Sequence, residues 1–329
     1  MPRTSLPSRR LGTALAAAAL AAGLAACGTT AAGPAGTPAA PSTSPSGSPT
    51  FSAAEFPVTV RGANGPVTLA TPPSRIVSIS PTGTEMLYAI GAGAQVVAVD
   101  DYSTFPQEAP RTKLSAYQPN AEAIAGYDPD LVVVSNDSGG FVAALTKLKL
   151  PTVVLPAAKS LDESYQQVTT LGAATGHPTE AAAVVERTRS RIQAAVASVP
   201  KPKTGDQPLR VYHELDDKYY SASSSTFIGS VYSLFGLKNV ADEAKDAAGG
   251  YPQLSAEYVV TAEPDLIVLA DTKCCKQSPA TVAKRPAFAA LPAVKNGRVL
   301  GVDDDIASRW GPRTADFAEA VAKALATTS

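Results

Sequence analysis

Histidine is nearly absent from this chain. Only His177 and His213 occur among its 329 residues, too few for a metal centre built from protein imidazoles. Cysteine is scarce as well, with three residues, which gives weight to where each one stands. A basic excess is missing: 28 Lys and Arg against 29 Asp and Glu leave a net charge of −1, which argues against nucleic acid as the main partner. No Gly-x-Gly-x-x-Gly follows a strand pattern, and no phosphate-binding loop is found. Gly91-Ala-Gly93 instead falls at a helix end, where glycine acts as a stop. Neither Ser/His/Asp nor Cys/His has a supporting local context, so the sequence reads as a non-enzyme. Beyond the N-terminal region no run is long and apolar enough to span a bilayer. Hydrophobic residues at 45% do suit a globular core, and the length allows two domains behind a tail.

The N-terminal region reads as an address. Arg3, Arg9 and Arg10 precede an apolar run from Leu11 to Ala22, short for a membrane span but suited to a signal-peptide core. Leu24-Ala25-Ala26-Cys27 resembles a bacterial lipobox, in which the Cys becomes the lipidated first residue. An ordinary signal peptide with an incidental Cys is the alternative. The following stretch of Ala, Gly, Pro, Ser and Thr cannot offset its ordering entropy by burial and reads as a flexible tether. Residues 1–27 are thus expected to be a lipoprotein signal peptide and 28–55 a disordered tether, holding the protein at the outer side of a membrane in the cell envelope.

The body alternates short β-branched runs with helical stretches: strands at 75–79, 96–99, 130–134 and 152–155, helices at 82–90, 120–126 and 141–148. Such alternation predicts an α/β fold with mainly parallel sheets. The chain then repeats itself. Ala121-Glu122 and Asp128-Pro-Asp130 match Ala256-Glu257 and Glu263-Pro-Asp265, and Arg75-Ile-Val matches Arg210-Val-Tyr, all at an offset of 135. Tyr88-Ala-Ile-Gly91 matches Ser233-Leu-Phe-Gly236 at 145, so one insertion intervenes. The period is too long for a solenoid and predicts two copies of one Rossmann-like lobe, 56–177 and 203–329. Between them a helical pattern starting at Pro178 and ending before Pro202 predicts one long, rigid connecting helix over 178–202, with little cleft motion.

Two α/β lobes joined by a long helix behind a lipobox resemble the ABC-importer binding proteins for ferric siderophores, haem and cobalamin. The resemblance spans roughly 58–325. It is carried by Arg75-Ile-Val-Ser-Ile-Ser-Pro-Thr-Gly-Thr-Glu85, Val99-Asp-Asp-Tyr-Ser-Thr-Phe-Pro106, Asn120-Ala-Glu-Ala-Ile124, Tyr251-Pro-Gln-Leu-Ser-Ala-Glu257 and Arg309-Trp-Gly-Pro-Arg313. The cobalamin-binding branch is the nearest, mainly through Tyr-Pro-Gln-x-Ser-x-Glu. The resemblance implies docking on a permease dimer with its ATPase subunits through Glu122 and Glu257, the same pair that the internal repeat relates. It implies a monomer that takes a metal chelate, a ferric siderophore or a corrinoid, and needs no cofactor of its own. In open α/β sheets ligands sit beyond the carboxyl ends of strands. That rule and the motifs nominate Tyr102, Tyr117, Tyr219, Tyr220, Tyr251, Asp305, Arg309, Trp310 and Arg313 as ligand-binding. Aromatic faces bury a large chelate, and Arg supplies a permanent cation. The family often has Trp where Tyr117 and Tyr251 stand here.

Cys274-Cys275 follows a predicted strand directly. A vicinal disulfide is the expectation for an exported protein, with free thiols or soft-metal ligands as alternatives. Two other functions use similar ingredients: a lipoprotein that binds bare zinc or manganese, and a ligand sensor on the same fold without transport.

Overall fold

Four-residue runs such as Leu131–Val134 and Leu266–Leu269 are apolar at every position because both of their faces are covered. The computed structural model describes residues 55–200, 205, 207–244 and 248–326. The expected signal peptide, Cys27 and the tether lie outside them, apart from Glu55.

The described chain opens with an antiparallel hairpin, β1 (Val58–Gly62) and β2 (Gly65–Leu69). The N-terminal lobe follows: β3 (Ile76–Ile79), α1 (Pro81–Ala89), β4 (Val96–Val99), α2 (Ala121–Ala125), β5 (Leu131–Val134), α3 (Phe141–Lys147) and β6 (Thr152–Val154). Then come α4 (Leu161–Thr175) and the connecting helix α5 (Pro178–Ser198). The C-terminal lobe comprises β7 (Arg210–Glu214), α6 (Phe227–Leu234), β8 (Lys238–Asn239), α7 (Ala256–Ala262), β9 (Leu266–Leu269), α8 (Pro279–Ala283), α9 (Pro292–Lys295), β10 (Val299–Gly301), α10 (Asp304–Ser308) and α11 (Thr314–Ala326).

The sheet orders are β4-β3-β5-β6 and β10-β9-β7-β8, with all strand pairs parallel. Counted from its own first strand, each lobe therefore has the order 2-1-3-4, and the duplication is realised in three dimensions. Both faces of each sheet carry a buried cluster. Val77, Val132 and Ile124 lie on one N-lobe face and Ile76, Val133 and Leu171 on the other. Tyr212, Ile267 and Val259 balance Val211, Val268 and Phe317 in the C-lobe.

Two glycines allow the turn between α4 and α5. Gly176 takes φ 85 as the left-handed cap of α4. A Cβ on Gly172 would stand 2.3 Å from that of Ala181, so only glycine lets the two helices cross this closely. The 21 residues of α5 span roughly 30 Å. Its first half sends Ala181 and Val184 into the N-lobe core, its second half Ile192 and Ala195 into the C-lobe core. Arg191 of α5 also holds α11 through Asp316 (2.6 Å) and Glu319 (2.8 Å).

Candidate ligand cleft and docking surface

Most large apolar side chains are buried, as apolar surface costs about 25 cal/mol per Å² to leave in water. Six of the described ones stay exposed, and four of these are tyrosines: Tyr102 (49%), Tyr117 (75%), Tyr220 (39%) and Tyr251 (43%). They form one pair on each lobe. Tyr102 and Tyr117 meet edge to face with centroids 5.0 Å apart. Tyr220 bridges to Gln253, and the neighbouring Ser221 N–H donates to the Pro252 carbonyl, which brings the Tyr251 segment alongside. Tyr102 and Tyr220 follow the carboxyl ends of β4 and β7. Tyr117 and Tyr251 stand a few residues before α2 and α7.

The segment after β10 crosses from the C-lobe to the N-lobe. Asp303 caps α10, and Asp304 accepts from the Thr272 hydroxyl and the N–H groups of Lys273 and Cys274. Asp305 accepts from Lys273 Nζ (3.0 Å), Arg309 (2.7 Å) and the Thr104 hydroxyl of the other lobe (3.3 Å). Arg309 donates further to Glu85 Oε1 (2.6 Å) and to the Tyr102 carbonyl (2.9 Å). Arg313 donates to both oxygens of Glu85 and lies 4.2 Å over the Phe105 ring. Glu85 is buried in α1, so the lobes are joined by a carboxylate shared between two guanidinium groups.

Four of the nominated residues have partners within the protein. Arg309 and Arg313 both pair with Glu85. Trp310 is half-buried, packs against cores of both lobes, and donates its indole N–H to Gln167 Oε1 (2.8 Å). Ser164 donates to its carbonyl. These side chains link the lobes. Tyr219, at φ 66, turns inward, its ring 6.3 Å from Phe288 and 5.3 Å from the Arg285 guanidinium. Tyr102, Tyr117, Tyr220 and Tyr251 stay exposed, and Asp305 is half-buried.

Beneath the C-lobe strand ends lies a second ionic group that the sequence did not single out. Glu214, the last residue of β7, is fully buried and receives both Arg285 nitrogens (2.5 and 2.6 Å) and the Tyr212 hydroxyl (3.1 Å). Asp271, also fully buried, finds no N–H or O–H donor for its carboxylate among the described residues. Burial, then the charge of Glu214, pushes Asp271 up to about 7. Cys274 and Cys275 follow as free thiols with sulfurs 2.6 Å apart. Burial, followed by the hydrogen bond to Cys275, pushes Cys274 up to about 12.

Glu122 and Glu257 are exposed and occupy equivalent places, each the second residue of its helix, behind the caps Asn120 and Ser255. The histidines serve elsewhere. His177 stands 3.9 Å from Glu180, and His213 is buried against the Tyr232 hydroxyl (2.7 Å), with burial lowering it to about 3. Among the described residues no group of three or more His, Cys, Asp or Glu could hold a metal ion, and no helix is long and apolar enough to cross a membrane.

Twin parallel-sheet lobes and a long helical link define the architecture of a two-lobed binding protein. Residues 76–306 match the periplasmic binding protein family, and the chain belongs to it. It is 31% identical over 285 residues to a cobalamin-binding protein of Halobacterium salinarum, covering 84% of this chain and 76% of that one. It is 31% identical over 278 residues to an uncharacterized ABC transporter substrate-binding lipoprotein, YvrC, of Bacillus subtilis, covering 82% and 86%. The crystal structure of the periplasmic vitamin B12 binding protein BtuF of Vibrio cholerae aligns with a TM-score of 0.63 at 27% identity, covering 77% of this chain and 97% of that one.

Proposed function

We propose that this chain is the lipid-anchored, extracytoplasmic substrate-binding protein of an ABC importer. It captures a ferric siderophore or cobalamin-type chelate between its lobes and delivers it to a permease dimer with its ATPase subunits. The observation that carries the reading is the pair of exposed carboxylates, Glu122 and Glu257, at matching positions of two duplicated helices. A two-fold permease can meet both with equivalent arginine contacts, and charge-assisted pairing fixes orientation. The exposed tyrosine pairs supply aromatic area and hydroxyls for a large chelate. The names of the relatives support cobalamin within that class.

Two measurements test the reading. Titration of the protein with cyanocobalamin and with ferric siderophores, followed by Trp310 fluorescence, is expected to saturate with at least one of them. Uptake in cells carrying the importer is expected to vanish in Glu122→Ala/Glu257→Ala while affinity for the same chelate is retained. Uptake that survives the double substitution would remove the docking role.

A further inference from the structure

Three of the four exposed tyrosines stand on loops whose main chain is held by an aspartate carboxylate. After β4, buried Asp100 accepts from the Tyr102 N–H (2.8 Å) and the Ser103 hydroxyl (2.7 Å), which fixes the turn carrying Tyr102. Its exposed neighbour Asp101 reaches the following segment. Main-chain bonding holds that segment at Leu114, whose carbonyl accepts from the Asp101 N–H (2.8 Å). Further on, the Asp101 carboxylate accepts from the Ala116 N–H (3.0 Å), directly before Tyr117. Tyr117 is 75% exposed, so little packing holds its ring beyond the edge-to-face contact with Tyr102. In the C-lobe, half-buried Asp216 does the same for Tyr220. Its carboxylate accepts from the N–H groups of Lys218 (2.9 Å) and Tyr220 (3.2 Å), and the Leu215 N–H closes the turn on the Tyr220 carbonyl (2.8 Å). The internal repeat does not relate these two aspartates: Asp101 follows the second strand of its lobe and Asp216 the first. The tie of carboxylate to main chain thus arises twice at tyrosine loops without being copied by the duplication.

An exposed ring adds most to affinity when it already stands where the cargo needs it. A loop that must be ordered on binding subtracts from the affinity its contacts supply. A carboxylate that accepts main-chain N–H groups forms strong, directed hydrogen bonds, and it can remove that cost without touching the cargo. We infer that Asp101 and Asp216 are positioning residues of the cleft, Asp101 acting through Tyr117 and Asp216 through Tyr220. The inference rests on the reading of the cleft as a chelate site.

Calorimetric titration tests this with three probes, cyanocobalamin, a ferric tris-hydroxamate and a ferric tris-catecholate, using the one that the wild type binds most tightly. Asp101→Ala is expected to weaken binding about 3- to 10-fold while the melting temperature stays nearly unchanged. Asp101→Asn keeps an acceptor oxygen for the Ala116 N–H and should bind within about 2-fold of wild type. A double-mutant cycle separates positioning from direct contact: in a Tyr117→Ala background, Asp101→Ala should cause no further loss. Asp216→Ala, Asp216→Asn and the Tyr220→Ala background should show the same pattern of affinities. An Ala variant that binds like wild type, an Asn variant as weak as the Ala variant, or losses that add in the cycle would overturn the inference for that aspartate. Each of these leaves the chelate-binding reading intact. Binding of none of the three probes by the wild type would overturn both.

Discussion

Arg309 and Glu85 stand 224 positions apart in sequence and 2.6 Å apart in space, and their ion pair joins the two lobes. Arg313 shares the same carboxylate. Removing one partner of a buried pair leaves the others without counter-charge in a poorly solvated place. Glu85→Ala strands Arg313 and leaves Arg309 with Asp305, and is expected to cost about 3–5 kcal/mol, read as a lowered urea midpoint. Glu319→Ala, which removes one of the two carboxylates that hold Arg191 at the more exposed contact between α5 and α11, should cost no more than about 1 kcal/mol. Equal losses for the two variants would contradict the lobe-joining role of Glu85.

Asp271 makes stability depend on pH. Its ordinary value is 3.8, and burial beside Glu214 raises it to about 7, with Arg285 opposing. The buried groups around it are Glu214, Arg285 and the Tyr212 hydroxyl. The folded state holds this proton more tightly than the unfolded chain does. Its contribution is therefore complete below about pH 4, declines as pH rises towards 7, and is lost above that. Asp271→Asn keeps a donor towards Glu214 at every pH. The variant should be more stable than wild type at pH 8 by about 1–3 kcal/mol and lose the slope between about pH 4 and 7. Thermal melts across that range read the difference; parallel wild-type and variant curves would sink the assignment.

The duplication was legible because each lobe needs the same clasp. The Arg75 and Arg210 N–H groups donate to Asp130 (2.9 Å) and Asp265 (2.8 Å), while their guanidinium groups reach the carbonyls of Tyr127 (2.6 Å) and Ala262 (2.7 Å). A local motif with a fixed partner spacing survives as sequence similarity. The break between α4 and α5 was equally readable, since Gly176 and Pro178 act on the backbone where they stand. The hairpin of β1 and β2 escaped the reading, although Asn64-Gly65 is a turn signal, because its short strands bury little until α4 folds over β1. The partner of the strand-end arginines was not legible, for a different reason. Residue type says that Arg309 seeks an anion, but not whether that anion is cargo or Glu85 on the other lobe. The signal for Glu85 was there: a lone carboxylate beside Met86 and Leu87 in a helix buried along most of its length.

The thiols of Cys274 and Cys275 are close enough to bridge, but Cys274 holds its proton well above neutral pH, and a thiol is a poor nucleophile. Oxidation is therefore expected to be slow at pH 7 and faster at pH 9. Treatment with a small disulfide would take two electrons and two protons from the pair, leaving one Cys–Cys bond and two small-molecule thiols. Mass spectrometry after alkylation checks this: no label on either residue without reductant, and label on both after reduction. Label on both residues of the oxidised sample would rule out the vicinal bridge.

Two tyrosines that the sequence treats alike should behave oppositely. Tyr102 is exposed beside Tyr117 at the end of β4, so Tyr102→Ala removes ligand contact and little packing. It should weaken chelate binding about 10-fold with the melting temperature nearly unchanged, as for truncation of an aromatic anchor. Tyr251→Ala on the facing lobe should act the same way. Tyr219 instead lies against Phe288 and the Arg285 guanidinium, next to the core around Tyr212 and Ile267. Tyr219→Ala opens a cavity there and should cost about 2–4 kcal/mol of stability. Its affinity for the chelate, measured well below the melting temperature, should stay close to wild type. If Tyr219→Ala lost affinity while keeping its stability, its ring would have to face the cargo, and the division between binding and packing tyrosines would fail.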